Sequence, residues 1–333
     1  SITNNTIGNS TNPNLRMGTL TLGGNLSNVG DTYGIGTGAG VFRGILNSST
    51  GNVTIGPNTI RNASLNSSSS SSAFRGIEHT SGAGGPYVIS NNTISNISTA
   101  STNVNLSPFG TNMLTGVGIL LNGNTSGTSV TQNTISLLSL TNTTTSGTNI
   151  AGIGIAQGNL TSVSRNVIYD LSNASTSTSA TTPGSISGIF TRSGNNSAQN
   201  FFNNMITLGN AQATNTCIVG IWGNLSQTFD PTVVNVYYNS VYITGTVTSG
   251  SQNSFGFLRG DLSTTAKTAP VDVRNNIFYN DRTGGSGKHY AISNNYGATT
   301  ASASGWGTNA SNFNVLNSAS SSTVGFWNAD QTL

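Results

Sequence analysis

The chain has only eight carboxylate side chains available for acid–base or cation chemistry: Asp31, Glu78, Asp170, Asp230, Asp261, Asp272, Asp281 and Asp330. Hydrolysis or calcium-assisted elimination needs such groups to converge, and these eight are scattered singly. The richest polar run is Arg75-Gly76-Ile77-Glu78-His79, with Arg43 one repeat earlier. Its chemistry would be an acid–base pair beside an anion site. The plainer expectation is an exposed Arg–Glu pair at a strand end. Arg259-Gly260-Asp261 spells a cell-adhesion tripeptide, but three residues are too few to carry a function. Asp272-Val273-Arg274 places two charges on one outward strand face, and Lys288-His289-Tyr290 reads as a solvated strand start. The single Cys217 excludes an intrachain disulfide or a cysteine zinc site and reads as a small buried apolar residue. Trp222, Trp306 and Trp327, with Tyr237, Tyr238 and Tyr242, have ring faces that stack on sugars, although packing is their commoner use. No catalytic residue, metal ligand or cofactor is expected.

The elements that position these residues follow from composition and repetition. Of 333 residues, 42 are Gly and 47 are Asn, and charged residues make up 6%. Asn, Gly, Ser and Thr are poor helix formers, so a helical protein is excluded. No apolar run is long enough for a membrane helix. Net charge is +3, with basic residues scattered singly. That leaves no electrostatic footprint for nucleic acid or a membrane surface. The first residues lack the basic and apolar regions of a signal peptide. Asn-X-Ser/Thr sites such as Asn25 and Asn224 follow from composition.

One motif, Asn followed two places later by Ile, Val or (after Asn276) Phe, heads each repeat. It stands at Asn5, Asn58, Asn92, Asn133, Asn166, Asn204, Asn239 and Asn276, and weakly at Asn312-Phe313-Asn314-Val315. A second motif, Gly followed by an apolar residue, alternates with it, as at Gly44-Ile45, Gly76-Ile77, Gly118-Ile119, Gly152-Ile153, Gly188-Ile189, Gly220-Ile221 and Gly256-Phe257. Short alternating stretches such as Val53-Thr54-Ile55 and Val234-Asn235-Val236 lie between. Period-two alternation over so few residues signals strands. A unit this small buries its apolar face only by stacking on its neighbours. Asn103 to Asn112, Thr141 to Asn149, Leu171 to Pro183 and Ser67 to Ser72 read as surface loops within the array. The heading Asn tolerates a left-handed backbone. Stacked at about 4.8 Å, Asn58, Asn92, Asn133, Asn166, Asn204, Asn239 and Asn276 are expected to form an amide ladder.

With Gly-Ile, a strand, and then Asn-Asn-Thr-Ile-Ser-Asn at residues 91–96, the chain resembles the right-handed parallel β-helix of pectin-lyase-like proteins. The resemblance spans nearly the whole sequence. It implies an all-β solenoid of about eight to nine coils, one domain over residues 1–333, open at both ends. Catalytic proteins of that family use clustered Asp with Arg or Lys, which this chain does not match. The composition resembles that of secreted bacterial surface proteins. The expectation is an extracellular, non-catalytic subunit of a surface filament, or the rod of a large adhesin. A polysaccharide-binding or polysaccharide-degrading protein is the alternative, with surface glycans as partners. Ice binding wants a repeated Thr-X-Thr array, and Thr19-Leu20-Thr21 is isolated. The repeat phase at the two ends suggests head-to-tail contact through Ile2, Asn5, Ile7, Val324, Phe326 and Trp327, or continuation into a longer chain.

Overall fold

The computed structural model describes residues 1–8, 15–20, 33–34, 40–82, 84–103, 114–159, 161–192, 197–210, 212–223, 233–262, 267–298, 306, 311–320 and 323–332. Asp31, Asp230, Asn25, Asn224, Thr21 and most of the 103–112 loop lie outside them. The described residues contain no α-helix. The chain is a parallel β-solenoid of about seven turns, each built from three strands.

The first sheet carries the Gly-Ile motifs and is called the Gly sheet. It stacks Val41–Asn47, Ala73–His79, Gly116–Ser126, Asn149–Asn159, Ser185–Thr191, Cys217–Gly223, Ser254–Arg259, His289–Asn294 and Gly325–Trp327. The middle sheet stacks Val53–Ile55, Tyr87–Ser90, Ser129–Thr131, Thr161–Ser164, Gln199–Phe202, Val234–Tyr237, Val271–Arg274 and Ser311–Asn312. The third, the ladder sheet, begins with Thr6–Ile7. It continues through Thr59–Asn66, Thr93–Thr99, Thr134–Leu140, Val167–Tyr169, Met205–Leu208, Ser240–Ile243, Ile277–Asn280 and Val315–Ser318.

The count is slightly lower than the expected eight to nine coils. In the long first interval after Asn5, Leu15–Leu20 pairs in parallel with Thr59–Asn66 and antiparallel with Tyr33–Gly34. At the other end the last middle strand described is the two-residue Ser311–Asn312.

Three inward columns make the core. The ladder sheet contributes Ile60, Ile94, Ile135, Ile168, Ile206, Val241 and Phe278 in strict register. The middle sheet contributes Ile55, Ile89, Val130, Val163, Phe201, Val236 and Val273. The Gly sheet contributes Ile45, Ile77, Ile119, Ile153, Ile189, Ile221 and Phe257. Each such side chain contributes about 1.5–3 kcal/mol on burial.

The repeated Gly has a steric reason. A Cβ on Gly152 would lie 2.6 Å from Ile168 Cγ2 and 2.8 Å from the Gly188 carbonyl oxygen. The same contact pairs Gly44 with Ile60, Gly76 with Ile94, Gly118 with Ile135, Gly188 with Ile206, Gly220 with Val241 and Gly256 with Phe278. The Gly column is therefore the slot that receives the ladder-sheet Ile of the same turn.

The Gly sheet is buried on both faces, as Ala73–His79, Ser185–Thr191 and Cys217–Gly223 show. Behind it lies a second apolar cluster that includes Leu120, Phe190, Trp222, Phe255 and Tyr290. The Ser-rich segments stack instead of hanging free. Ser101 Oγ donates to the Ser69 and Ser72 carbonyls, and Ser175 Oγ to the Ser146 carbonyl. Ser67, Ser72, Ser175 and Ser177 are buried, contrary to the surface-loop expectation.

Candidate binding face

The corner between the middle and ladder sheets holds the Asn column. Asn58 donates through Nδ2 to Asn92 Oδ1 at 3.0 Å, Asn92 to Asn133 at 2.9 Å and Asn133 to Asn166 at 3.0 Å. Asn166 donates to Asn204 at 3.0 Å, Asn204 to Asn239 at 2.9 Å and Asn239 to Asn276 at 3.0 Å. Asn5 extends the column at one end and Asn314 at the other, making nine rungs. The weak last motif is thus headed by Asn314 rather than Asn312, because Val315 is the residue that pairs with Ile277.

The Oδ1 of Asn58, Asn133, Asn166, Asn204, Asn239, Asn276 and Asn314 accepts twice, since the backbone N–H of the preceding ladder Asn also points at it, as from Asn133 N to Asn166 at 3.0 Å. The other Nδ2 hydrogen goes to a carbonyl of an earlier middle strand, Val130 in the case of Asn166. The left-handed residue is not the ladder Asn but, at eight of the nine rungs, the one before it; Asn58 follows Pro57 and is the exception. Asn4, Asn91, Gln132, Arg165, Asn203, Tyr238, Asn275 and Phe313 have φ between 53° and 59°. Half of these are not Asn, so the stacked corner imposes a conformation that costs such residues about 1–2 kcal/mol.

Among the described residues the carboxylates do not group together; their contacts are with single cations and hydroxyls. Arg75, Glu78 and His79 are buried, not exposed at a strand end. Arg43 reaches in from the surface to pair with Glu78. Burial lowers the Arg75 pKa to about 10, and it lowers that of His79, whose Nδ1 meets Asn47 Nδ2 at 2.9 Å. Arg259 is fully buried, with Nε and Nη2 donating to the Ala269 carbonyl, so the Arg-Gly-Asp tripeptide is not displayed. Asp261 pairs with Lys267 at 3.0 Å. Asp272 and Arg274 pair on the outward face of the middle sheet, and Tyr237 Oη donates to Asp272 at 2.7 Å.

Lys288 is exposed and paired with Asp330, but His289 and Tyr290 are buried rather than solvated. Cys217 is buried, and desolvation pushes its thiol up to about 12. Trp222 is buried, with its Nε1 donating to the Gly260 carbonyl at 2.8 Å. Among the described residues no three His, Cys, Asp or Glu side chains group as metal ligands.

At the chain's first residues, Ile2 bridges Ile55, and Ile7 pairs with Ile60. At the other end, Gly325–Trp327 pairs with His289–Asn294 on one side. On its other side it carries Ala329–Gln331 antiparallel. Val324 is buried, while Phe326 packs on Tyr296 and Trp327 on Trp306. This edge of the Gly sheet is therefore covered by a hairpin and not bare.

Among the described residues, the outward face of the ladder sheet is the exposed surface with a built character. Its first column begins Thr6, Thr59, Thr93, Thr134 and then turns mainly apolar as Val167, Met205, Ile277 and Val315, with Ser240 between Met205 and Ile277. The second column runs Arg61, Ser95, Ser136, Tyr169, Thr207, Tyr242, Tyr279 and Asn317. Met205 is 61% exposed, Ile277 46%, and Tyr242 and Tyr279 40% each. Together with Thr207 and Ser240 they line a hollow of about 420 Å³. Of the aromatic residues singled out from the sequence, only Tyr242 lies here. Tyr279, Met205 and Ile277 carry no such signal in the sequence, because their outward direction depends on strand register. Comparison with protein-family models, with curated proteins and with solved structures finds no significant match to this chain.

Proposed function

We propose that this chain is the rod of an extracellular structural or adhesive protein and performs no catalysis. The supporting observation is the column of nine Asn side chains, which fastens each turn to the next along the solenoid. The separation of the carboxylates also favours the reading. Glu78, Asp261, Asp272 and Asp330 each have their own cation. We further infer a right-handed coil of the pectin-lyase-like type. Successive parallel strands joined by crossovers are almost always right-handed, and three motifs recur in phase.

Head-to-tail stacking is the filament form of the same reading. The hairpin over Gly325–Trp327 weighs against extending the Gly sheet between copies, so such a joint would use the ladder and middle sheets. Negative-stain microscopy with a reducing-end assay on plant and microbial polysaccharides tests both parts. Stiff rods and no released sugar are expected. Released sugar ends refute the non-catalytic reading, and dispersed single rods at high concentration refute the filament form alone. The second reading, polysaccharide binding, is favoured by the aromatic hollow on the ladder sheet.

A further inference from the structure

We propose that the hollow around Ser240 is a binding site for a neutral glycan. The proposal adds a ligand to the non-catalytic rod reading and gives its adhesive form a location. Ser240 is the one small residue between Met205 and Ile277 in the first outward column, and its short side chain opens the depression. Tyr242 and Tyr279 flank it with centroids 5.6 Å apart and planes at 67°, so the two rings present a face and an edge. The hydroxyls of Thr207, Ser240, Tyr242 and Tyr279 border an apolar floor, and all four residues line the hollow. Ring faces receive the C–H side of a sugar, and hydroxyls exchange hydrogen bonds with its rim.

Charge selects among glycans. The strands Val167–Tyr169, Met205–Leu208, Ser240–Ile243, Ile277–Asn280 and Val315–Ser318 contain no charged residue. An acidic polymer would find no cation on them. Area selects against a protein partner. Five strands at ~4.8 Å, each about four residues wide at ~3.3 Å, give roughly 300 Å². A stable protein interface needs about 800 Å² per partner, whereas a patch near 300 Å² is of the size that functional sites on monomers have.

The test is affinity electrophoresis through gels holding hydroxyethylcellulose, galactomannan or xyloglucan, with polygalacturonate as the acidic control. At least one neutral polymer should retard the protein, and polygalacturonate should not. Ser240→Leu pushes a larger apolar side chain into the hollow between Met205 and Ile277 and Tyr279→Ala removes a wall, and each should weaken retention about tenfold or more, equivalent to about 1.4 kcal/mol. Both positions are exposed, and an unchanged melting temperature confirms that the variants fold. No retardation by any neutral polymer overturns the proposal, as does unchanged retention of Ser240→Leu or retention by polygalacturonate alone. A dimer seen in sedimentation and lost in Ser240→Leu would assign the face to a second copy and equally overturn it. Sugar release in the same incubations would refute the non-catalytic rod while leaving the binding site standing, so the two failures are read separately.

Discussion

Replacing Asn166 by Ala tests whether the amide column holds the corner. The Asn166 side chain donates to Asn204 Oδ1 and to the Val130 carbonyl, both at 3.0 Å, and accepts from Asn133 N and Nδ2, both at 3.0 Å. Alanine leaves the buried Asn133 N–H without its acceptor, at a cost of about 1–3 kcal/mol. Asn133 Nδ2 keeps Ile89 O and Thr131 O, and Asn204 Oδ1 keeps the backbone N–H of residue 166. The remaining losses are ordinary hydrogen bonds of about 1 kcal/mol each. The expected total is about 4 kcal/mol. Asn314→Ala removes an acceptor from Asn276 at a half-buried end of the column, where water can replace it, and should cost about 1 kcal/mol or less. Repeat arrays need not unfold in one step, so urea unfolding should be read alongside amide exchange of residues 130–137 and 163–169. Asn166→Asp should be worse than Ala at neutral pH, because its second oxygen faces two acceptors. The fold then raises its pKa, so stability should return as pH falls. Equal costs for Asn166→Ala and Asn314→Ala would refute the reasoning.

Gly152→Ala drives a methyl into Ile168 Cγ2 and the Gly188 carbonyl, and should cost about 2 kcal/mol or more. Ile168→Ala added to it should recover part of that loss, measured by the urea midpoint; strict additivity would refute the slot. Burial, followed by the nearby Arg282 charge, lowers the His289 pKa from 6.5 to about 4. A histidine depressed in the fold stays neutral there while the unfolded chain binds a proton. Its contribution is therefore intact above pH 6.5 and is lost as pH falls towards about 4, by about 3 kcal/mol in all. His289→Gln should flatten that part of the stability–pH profile. Arg282→Lys removes the fork that donates to the Thr216 carbonyl at 2.6 Å and the Thr214 carbonyl at 3.2 Å. A lysine reaches only one point, so a loss of about 2 kcal/mol is expected by thermal unfolding.

The repeat is legible because stacking demands the same residue at the same place in every turn. Asn58 through Asn276 and Gly44 through Gly256 stand out in one sequence for that reason. The corner misleads in one respect. Asn is, after Gly, the residue type that best tolerates a left-handed backbone, which points to the ladder Asn itself. Stacking instead places that conformation on its predecessor in every turn but the one entered through Pro57, even where the predecessor is Tyr238 or Phe313. The hollow is not legible, because Met205, Ser240, Ile277 and Tyr279 are up to 74 positions apart in a chain of 333 and meet only through register. The burial of Arg75 and His79 is hidden too, since the residues beside them come from other turns and meet them only through register: Arg75 pairs with Arg43 and Val117, and His79 with Asn47 and Leu121.

Burial changes what scarce charge means in this chain. A single-sided solenoid could leave its few cations in water. Here Arg75, Arg259 and Arg282 are fully buried. Arg75 Nη1 donates to the Phe74 carbonyl, Arg259 to the Ala269 carbonyl and Arg282 to those of Thr214 and Thr216. The Ala269, Thr214 and Thr216 carbonyls lie in connecting segments just before the strands Val271–Arg274 and Cys217–Gly223, whereas the Phe74 carbonyl lies within Ala73–His79. A planar guanidinium donates to such oxygens at two points and keeps its charge even when burial lowers its pKa to about 10. Amide columns thus satisfy the backbone where the turns repeat, and Arg259 and Arg282 satisfy it in connecting segments. The outward ladder face is left free of both duties, and that freedom allows it to vary from a Thr column to an aromatic hollow without disturbing the rod.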